Sequence, residues 1–246
     1  MSRSLRRRRG ALALLACATL LGAGCGGSDD DGARTVATSA ATTAASGSTA
    51  AGRPVTDEQA LVLARLLQQN WQHGGATFAG TTPIQGVEVE LHGKVDFRTG
   101  RGDATLTDPQ GQTRRYIWTR RAVYAQKAPG SRAYTVQRPD RDGDPVHAAI
   151  AFINLLSAET IDNTTNIKDQ DARFLGSETL GGAAVDLYRY GASGNTRYWV
   201  DRRDGLLRQV EATFPNDEVL TVRLTAHRPV HVTLPPADRS AQRAGS

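Results

Sequence analysis

The chain has little with which to cross-link itself or hold a metal: two cysteines, five histidines and one methionine in 246 residues. Cys17 and Cys25 both lie at the N-terminus, so everything after residue 25 is free of thiols. That part forms no disulfide, and its stability has to come from a hydrophobic core. Aromatic residues are scarce at 6%, but 39% apolar residues suffice for such a core. No apolar run after residue 25 is long enough for a membrane-spanning helix. A basic body is also missing. The 30 Lys+Arg against 25 Asp+Glu include Arg3, Arg6, Arg7, Arg8 and Arg9, and without these five the balance is 25 against 25. The sequence pI of about 9.5 therefore describes the terminus. A neutral body lacks the footprint of phosphate-driven binding, which excludes nucleic acid as the main partner. The length fits one domain of about 180 residues with tails, or at most two small ones.

What the N-terminus does contain is an address. Arginines lead into an apolar run, Ala11 to Leu21, followed by small residues. This is the layout of a bacterial export signal. Its end, Leu21-Gly22-Ala23-Gly24-Cys25, resembles the lipobox of bacterial lipoproteins, although Gly22 stands where that pattern has Leu or Val. Cys17 is the competing position, with an apolar run of only about six residues before it. The resemblance implies cleavage after residue 24 and a diacylglyceryl group on Cys25, which also explains an otherwise odd thiol. The expected location is the extracytoplasmic face of the cell membrane, where two acyl chains hold a protein stably. Residues 25–55 are Gly, Ser, Thr and Ala with an acidic cluster at Asp29 to Asp31, a composition that cannot bury a core. A disordered tether is expected there, and a loose polar tail over 237–246.

The domain expected between them, 56–236, opens with a helix. Thr56 and Gln59 have capping-box spacing. Ala60, Leu61, Leu63, Ala64, Leu67 and Trp71 form an apolar face that Val62 and Leu66 widen, and Gly74-Gly75 ends it. The period then changes to two. Val87, Val89 and Leu91 alternate with polar residues, and further strands are expected at 94–98, 103–107, 114–119, 122–126 and 133–137. Asp144-Pro145 starts a second helix through Leu156, apolar on nearly every side. More strands follow at 172–176, 184–190, 196–201, 206–214, 219–226 and 230–234. Many short strands with two apolar helices predict an α+β fold, one large antiparallel sheet covered on one face.

Reaction chemistry is hard to find. There is no Gly-rich phosphate loop, no His-Glu-x-x-His and no Gly-x-Ser-x-Gly. The histidines are scattered; Pro229 separates His227 from His231, and both are expected to face solvent. Asp140, Asp142 and Asp144 resemble the start of a calcium loop, but Pro145 and Ala151 stand where Gly and a carboxylate are needed. A turn ending in a helix cap explains them better. Asn163-Thr164-Thr165 is a glycosylation sequon with no use in a bacterial lipoprotein. No catalytic residue, metal site or cofactor is expected, and the chain does not read as an enzyme. The remaining question is whether the two apolar helices fill their own core or leave a cavity against the sheet.

One family resemblance bears on that question. The lipobox, the tether, the opening helix, the strands around HGKVDFRTGRG (92–102), the helix DPVHAAIAFINLL (144–156) and the run from Phe174 to Phe214 resemble mycobacterial lipoproteins of the LppX/LprA/LprF/LprG type. The match covers most of 56–236 in order and pattern. The wider group includes the LolA/LolB lipoprotein carriers. The resemblance implies a curved antiparallel half-barrel with helices on its concave face and a hydrophobic cavity for acylated lipid or lipoglycan carried across the envelope. A membrane transporter is a further candidate partner. On that reading Leu63, Leu67 and Trp71 line the cavity from the first helix, and Ile150, Ile153 and Leu156 from the second. Phe174, Val185 and Leu187 face them from the sheet. A different class uses the same half-barrel: envelope regulators related to RseB, which bind a membrane protein and carry no cargo.

Overall fold

The computed structural model describes residues 52–191, 195–214 and 217–236. The expected signal peptide, Cys25, the tether up to residue 51 and the tail at 237–246 lie outside the described residues. The fold begins inside the segment read as tether, because Arg53–Pro54 forms β1 against the start of β8.

Helix α1 (Asp57–His73) follows, with the expected capping box: Gln59 N donates to Thr56 Oγ1, and Thr56 N donates to Gln59 Oε1. Gly74 ends it at φ 81°, a left-handed conformation that costs glycine little. Five hairpin strands come next: β2 (Gly75–Ile84), β3 (Val87–Asp96), β4 (Arg101–Thr107), β5 (Thr113–Trp118) and β6 (Val123–Gln126), closed by β7 (Tyr134–Gln137). Asp144 caps α2 (Pro145–Asn154) by accepting from the amides of Val146 and His147, and Asn163 caps the short α3 (Thr164–Asp169). The chain finishes with β8 (Arg173–Leu180), β9 (Ala183–Arg189), β10 (Thr196–Asp201), β11 (Leu207–Thr213) and β12 (Val219–His227).

All twelve strands among the described residues join one antiparallel sheet in the order β1-β8-β9-β10-β11-β12-β2-β3-β4-β5-β6-β7. The last strand pairs with the first long one, so the two hairpin runs meet in the middle, and the curved sheet stays open between β1 and β7. This is the expected α+β half-barrel. Sequence patterning misses β2 and α3 and places a strand at 230–234, where the structure has none. It also splits β3, which runs unbroken through Asp96.

Strand pairing fixes which side chains share a face. Tyr188, Tyr198, Val210, Val222, Gly80 and Leu91 follow one another across the sheet on the helix side. Leu187, Trp199, Gln209, Arg223, Ala79 and His92 follow one another on the outer side. The core lies between the helix-side face and the helices. Ala60, Leu63, Ala64 and Leu66 of α1 enter it with Val146, Ala149, Ile150 and Ile153 of α2, and Ile167 of α3. Each large side chain buried there contributes about 1.5–3 kcal/mol. Trp118 is fully buried and donates its indole N–H to Asn154 at the end of α2, 3.2 Å away. Gly102 makes room for it, since a Cβ there would sit 1.9 Å from the indole ring.

Alternating strand direction also sorts the turns into two ends. The β3–β4, β5–β6, β8–β9 and β10–β11 turns lie at the end where α1 finishes, together with the exit of β12. The β2–β3, β4–β5, β6–β7, β9–β10 and β11–β12 connections lie at the other.

Candidate functional site

The seam between α1 and the β9–β10 side of the sheet opens into a cleft of about 400 Å³, within the usual range of ligand sites. Helix α1 supplies Glu58, Leu61, Val62, Arg65 and Gln69, spaced so that they share one helical face. This face lies beside the one that carries Leu63 and Leu66 into the core. Tyr188 and Val200 form the floor, and the β10–β11 hairpin supplies Asp201, Arg202, Asp204 and Gly205 at the rim. Leu61 and Val62 remain 39% and 36% exposed, while Tyr188 and Val200 are buried beneath them.

The helix wall is held in place from both sides. Arg53 donates to Gln59 Oε1 and stacks over Phe174, 4.4 Å from its centroid, which ties α1 to β1 and β8. Lys168 of α3 pairs with Asp57 in the first turn. Farther along, the amides of Asp162 and Ala158 donate to the carbonyls of Ala64 and Leu67, and Asn70 Nδ2 donates to Leu156 O at 2.6 Å.

Polar groups around the rim are mostly satisfied by one another. The Asp186 carboxylate accepts from Ser177 Oγ at 2.6 Å and from the Tyr188 hydroxyl at 3.4 Å, and Arg202 Nε lies 3.6 Å away. Burial and then the Asp186 charge push the Tyr188 phenol up to about 12, so it stays protonated. Burial alone would raise Asp201. The Arg203 amide and the bidentate Arg208 guanidinium outweigh it, and the net shift is downward. At the inner end Gln69 Oε1 is buried with no hydrogen-bond partner among the described residues. One turn on, the His73 ring meets His227 edge-on at 5.9 Å. Burial, then Arg208 and His73, lower the His227 pKa, and His227 is half-buried rather than facing solvent as its sequence setting suggests. No nucleophile paired with a base stands here. The arrangement offers an apolar wall inside a closed polar rim, which suits binding.

The residues expected to line a cavity are distributed differently. Leu63, Ile150, Ile153 and Leu156 come together in the closed core, with Phe174 packed at its margin. Leu67 and Trp71 are partly exposed on α1, and Trp71 lies beneath the Arg98 guanidinium at 5.4 Å. Val185 and Leu187 do not face the helices. Their pairing with Asp201 and Trp199 puts them on the outer face, where Val185 is fully buried. Parity decides this: Asp186 and Tyr188 take the inward positions of β9, and a strand cannot point neighbouring residues the same way. Sequence reasoning missed Tyr188, Val200 and Asp186. The available signal was α1 itself, whose apolar arc, widened by Leu61 and Val62, is too broad for one packing surface.

A second cleft, of about 560 Å³, lies on the outer face between β5–β7 and the segment after β12, lined by Arg115, Ile117, Tyr134, Leu234 and Pro235. It is larger and more open, the buried Ile117 lies in its lining, and its wall is the chain's own C-terminal segment.

No protein-family model matches the sequence, and no curated protein matches it. Solved structures do resemble the fold. The Mycobacterium tuberculosis lipoprotein LppX is 10% identical, with a TM-score of 0.48 over 72% of this chain and 100% of its own. A LolA superfamily protein from Nitrosomonas europaea is 10% identical, with a TM-score of 0.29 over 73% of this chain and 96% of its own. MucB, solved in complex with MucA from Pseudomonas aeruginosa, is 12% identical, with a TM-score of 0.35 over 68% of this chain and 55% of its own.

Proposed function

We propose that this chain binds an acylated lipid or glycolipid and carries it within the cell envelope, anchored at the membrane through a diacylglyceryl group on Cys25. The observation that carries the reading is the apolar wall of α1. Leu61 and Val62 stay open to the cleft while their floor, Tyr188 and Val200, is already buried. An acyl chain laid along this seam completes the burial. At about 0.8 kcal/mol per methylene, some six methylenes supply about 5 kcal/mol, enough for sub-millimolar binding before the headgroup contributes. Gln69 Oε1, an acceptor without a donor among the described residues, suits a hydroxyl or amide of the headgroup. If α1 lifts on its connections to the α2–α3 segment, the cleft extends onto Leu63, Leu67, Ile150, Ile153 and Leu156. A closed resting state of this kind suits a carrier that must release its cargo.

The test is a pair of substitutions, Leu61→Asp with Val62→Asp, measured by uptake of a fluorescent fatty acid. Both positions are exposed, so the fold should persist, while uptake drops at least about tenfold. Val87→Asp at an exposed position outside the cleft serves as the control. Equal uptake by the pair and the control would remove the α1 cleft as the site.

A further inference from the structure

The described residues carry 22 Lys+Arg against 21 Asp+Glu, a net charge of only +1. That charge is sorted along the strand axis. At the end where α1 finishes, the hairpin turns and the residue after β12 carry Arg98, Arg120, Arg121, Arg202, Arg203 and Arg228 against Asp204, six to one, net +5. The β7–α2 connection leaves the sheet edge at the same end and, with Arg138 and Arg141 against Asp140, Asp142 and Asp144, lowers this to +4. The turns of the opposite end carry Lys127 and Arg132 against Asp108, Asp217 and Glu218, net −1.

From this polarity we infer that the arginine-rich end docks on an anionic phospholipid surface. Several of its cations are not used up inside the protein. Arg101 at the head of β4, Arg121, Arg203 and Arg228 are exposed, and their side chains have no partner among the described residues. Others are presented by structure. Arg98 donates to the carbonyls of Trp71 and Gln72, the last acceptors of α1, and stacks on Trp71. Arg120 in turn donates to Arg98 O at 3.3 Å. A partly exposed tryptophan among arginines is the composition of a membrane–water interface. Each Arg held near an anionic bilayer contributes roughly a fivefold gain in partitioning.

Chain geometry permits this orientation. Residue 52 enters at the opposite end, beside the start of β8. A ten-residue strand spans about 33 Å, whereas the 26 residues between Cys25 and Gly52 can reach about 90 Å when extended. An anchor on Cys25 therefore leaves the arginine end free to turn onto the bilayer. The docked end also holds the Gly205 and Arg202 rim of the α1 cleft.

Vesicle partitioning reads this docking independently of any cargo. The chain from Gly26 onward keeps every core residue and drops both the signal arginines and Cys25. It should bind phosphatidylcholine vesicles doped with phosphatidylglycerol, release them on addition of salt, and ignore pure phosphatidylcholine. Combined Arg101→Gln, Arg121→Gln, Arg203→Gln and Arg228→Gln should weaken binding roughly 600-fold. The same four as Arg→Lys should retain it. A charge-matched control at the other end, Arg114→Gln, Lys127→Gln, Arg132→Gln and Arg197→Gln, should change it less than about threefold. Equal loss in both quadruple variants would overturn the proposal, since net charge alone would then explain the binding. So would absence of binding to the anionic vesicles, which would leave the arginines for an acidic protein partner.

Discussion

Asn70 is the side chain on which the placement of α1 depends most directly. It is fully buried, and its Nδ2 donates to the Leu156 carbonyl at 2.6 Å, joining α1 to the end of α2 across 86 residues of sequence. Its Oδ1 has no partner among the described residues. Asn70→Ala strands a buried carbonyl, which costs about 1–3 kcal/mol, and removes the unpartnered Oδ1, which returns about 1 kcal/mol. The net loss of about 0–2 kcal/mol lowers Tm by no more than about 8 °C in a domain of this size. Asn70→Asp goes further and separates the causes. At pH 7 it places a carboxylate against a carbonyl in the core, a loss of about 3–5 kcal/mol. Burial raises the folded-state pKa of that carboxyl above its unfolded value near 3.9. The penalty is therefore absent below about pH 4, where both states are protonated and the acid can donate to Leu156 O. It grows as pH rises above that and levels off beyond the folded-state pKa. Thermal melts of both variants from pH 4 to 7 read all of this. A Tm for Asn70→Ala more than about 8 °C below the parent, or a pH-independent deficit for Asn70→Asp, would refute the reasoning.

Other expectations follow from the same geometry. Gly102→Ala drives a methyl into the Trp118 ring and should cost about 3 kcal/mol, seen as a fall in Tm of about 6–12 °C or as insoluble protein; a soluble variant with an unchanged melt would show that the ring is free to move. His227 has a lowered pKa in the fold, so it contributes stability that is complete above its unfolded value near 6.5 and is lost as pH falls through the folded value. His227→Gln should flatten the slope of Tm against pH below 6.5, and parallel slopes would assign that loss to other groups. Ile153→Asp buries a charge at a position only 1% exposed and should unfold the domain rather than report on cargo, as a urea melt would show.

What the sequence announces and what it hides differ for physical reasons. Helix α1 announces itself because Thr56, Gln59 and Gly74 set both ends and its apolar residues recur at helical spacing. Asp144-Pro145 does the same for α2. Strand β3 shows through Val89 and Leu91 because its outer neighbours are polar. Strand β2 is silent: Gly-Ala-Thr-Phe-Ala-Gly-Thr-Thr-Pro-Ile shows no apolar–polar alternation and contains two glycines and a proline. Its small residues answer to close packing at the centre of the sheet, where a Cβ on Gly80 would sit 1.9 Å from Thr221 O. Helix α3 buries a single large residue, Ile167, too little to set a period. The cleft was half legible. Leu61 and Val62 were visible as an excess of apolar surface on α1. Their sheet partners were not, because Val185 and Leu187 are as apolar as Tyr188, and only the register of β9 against β10 decides which of them turn inward.

The central claim is that this fold holds an acylated ligand, and native mass spectrometry of the chain from Gly26 onward, purified from a mycobacterial host, tests it most directly. The account predicts a discrete mass increment that extraction identifies as an acylated lipid, and its loss in the paired Leu61→Asp and Val62→Asp variant. A bare polypeptide mass that stays bare after incubation with lipid would contradict it, and the apolar wall of α1 would then belong to a protein partner.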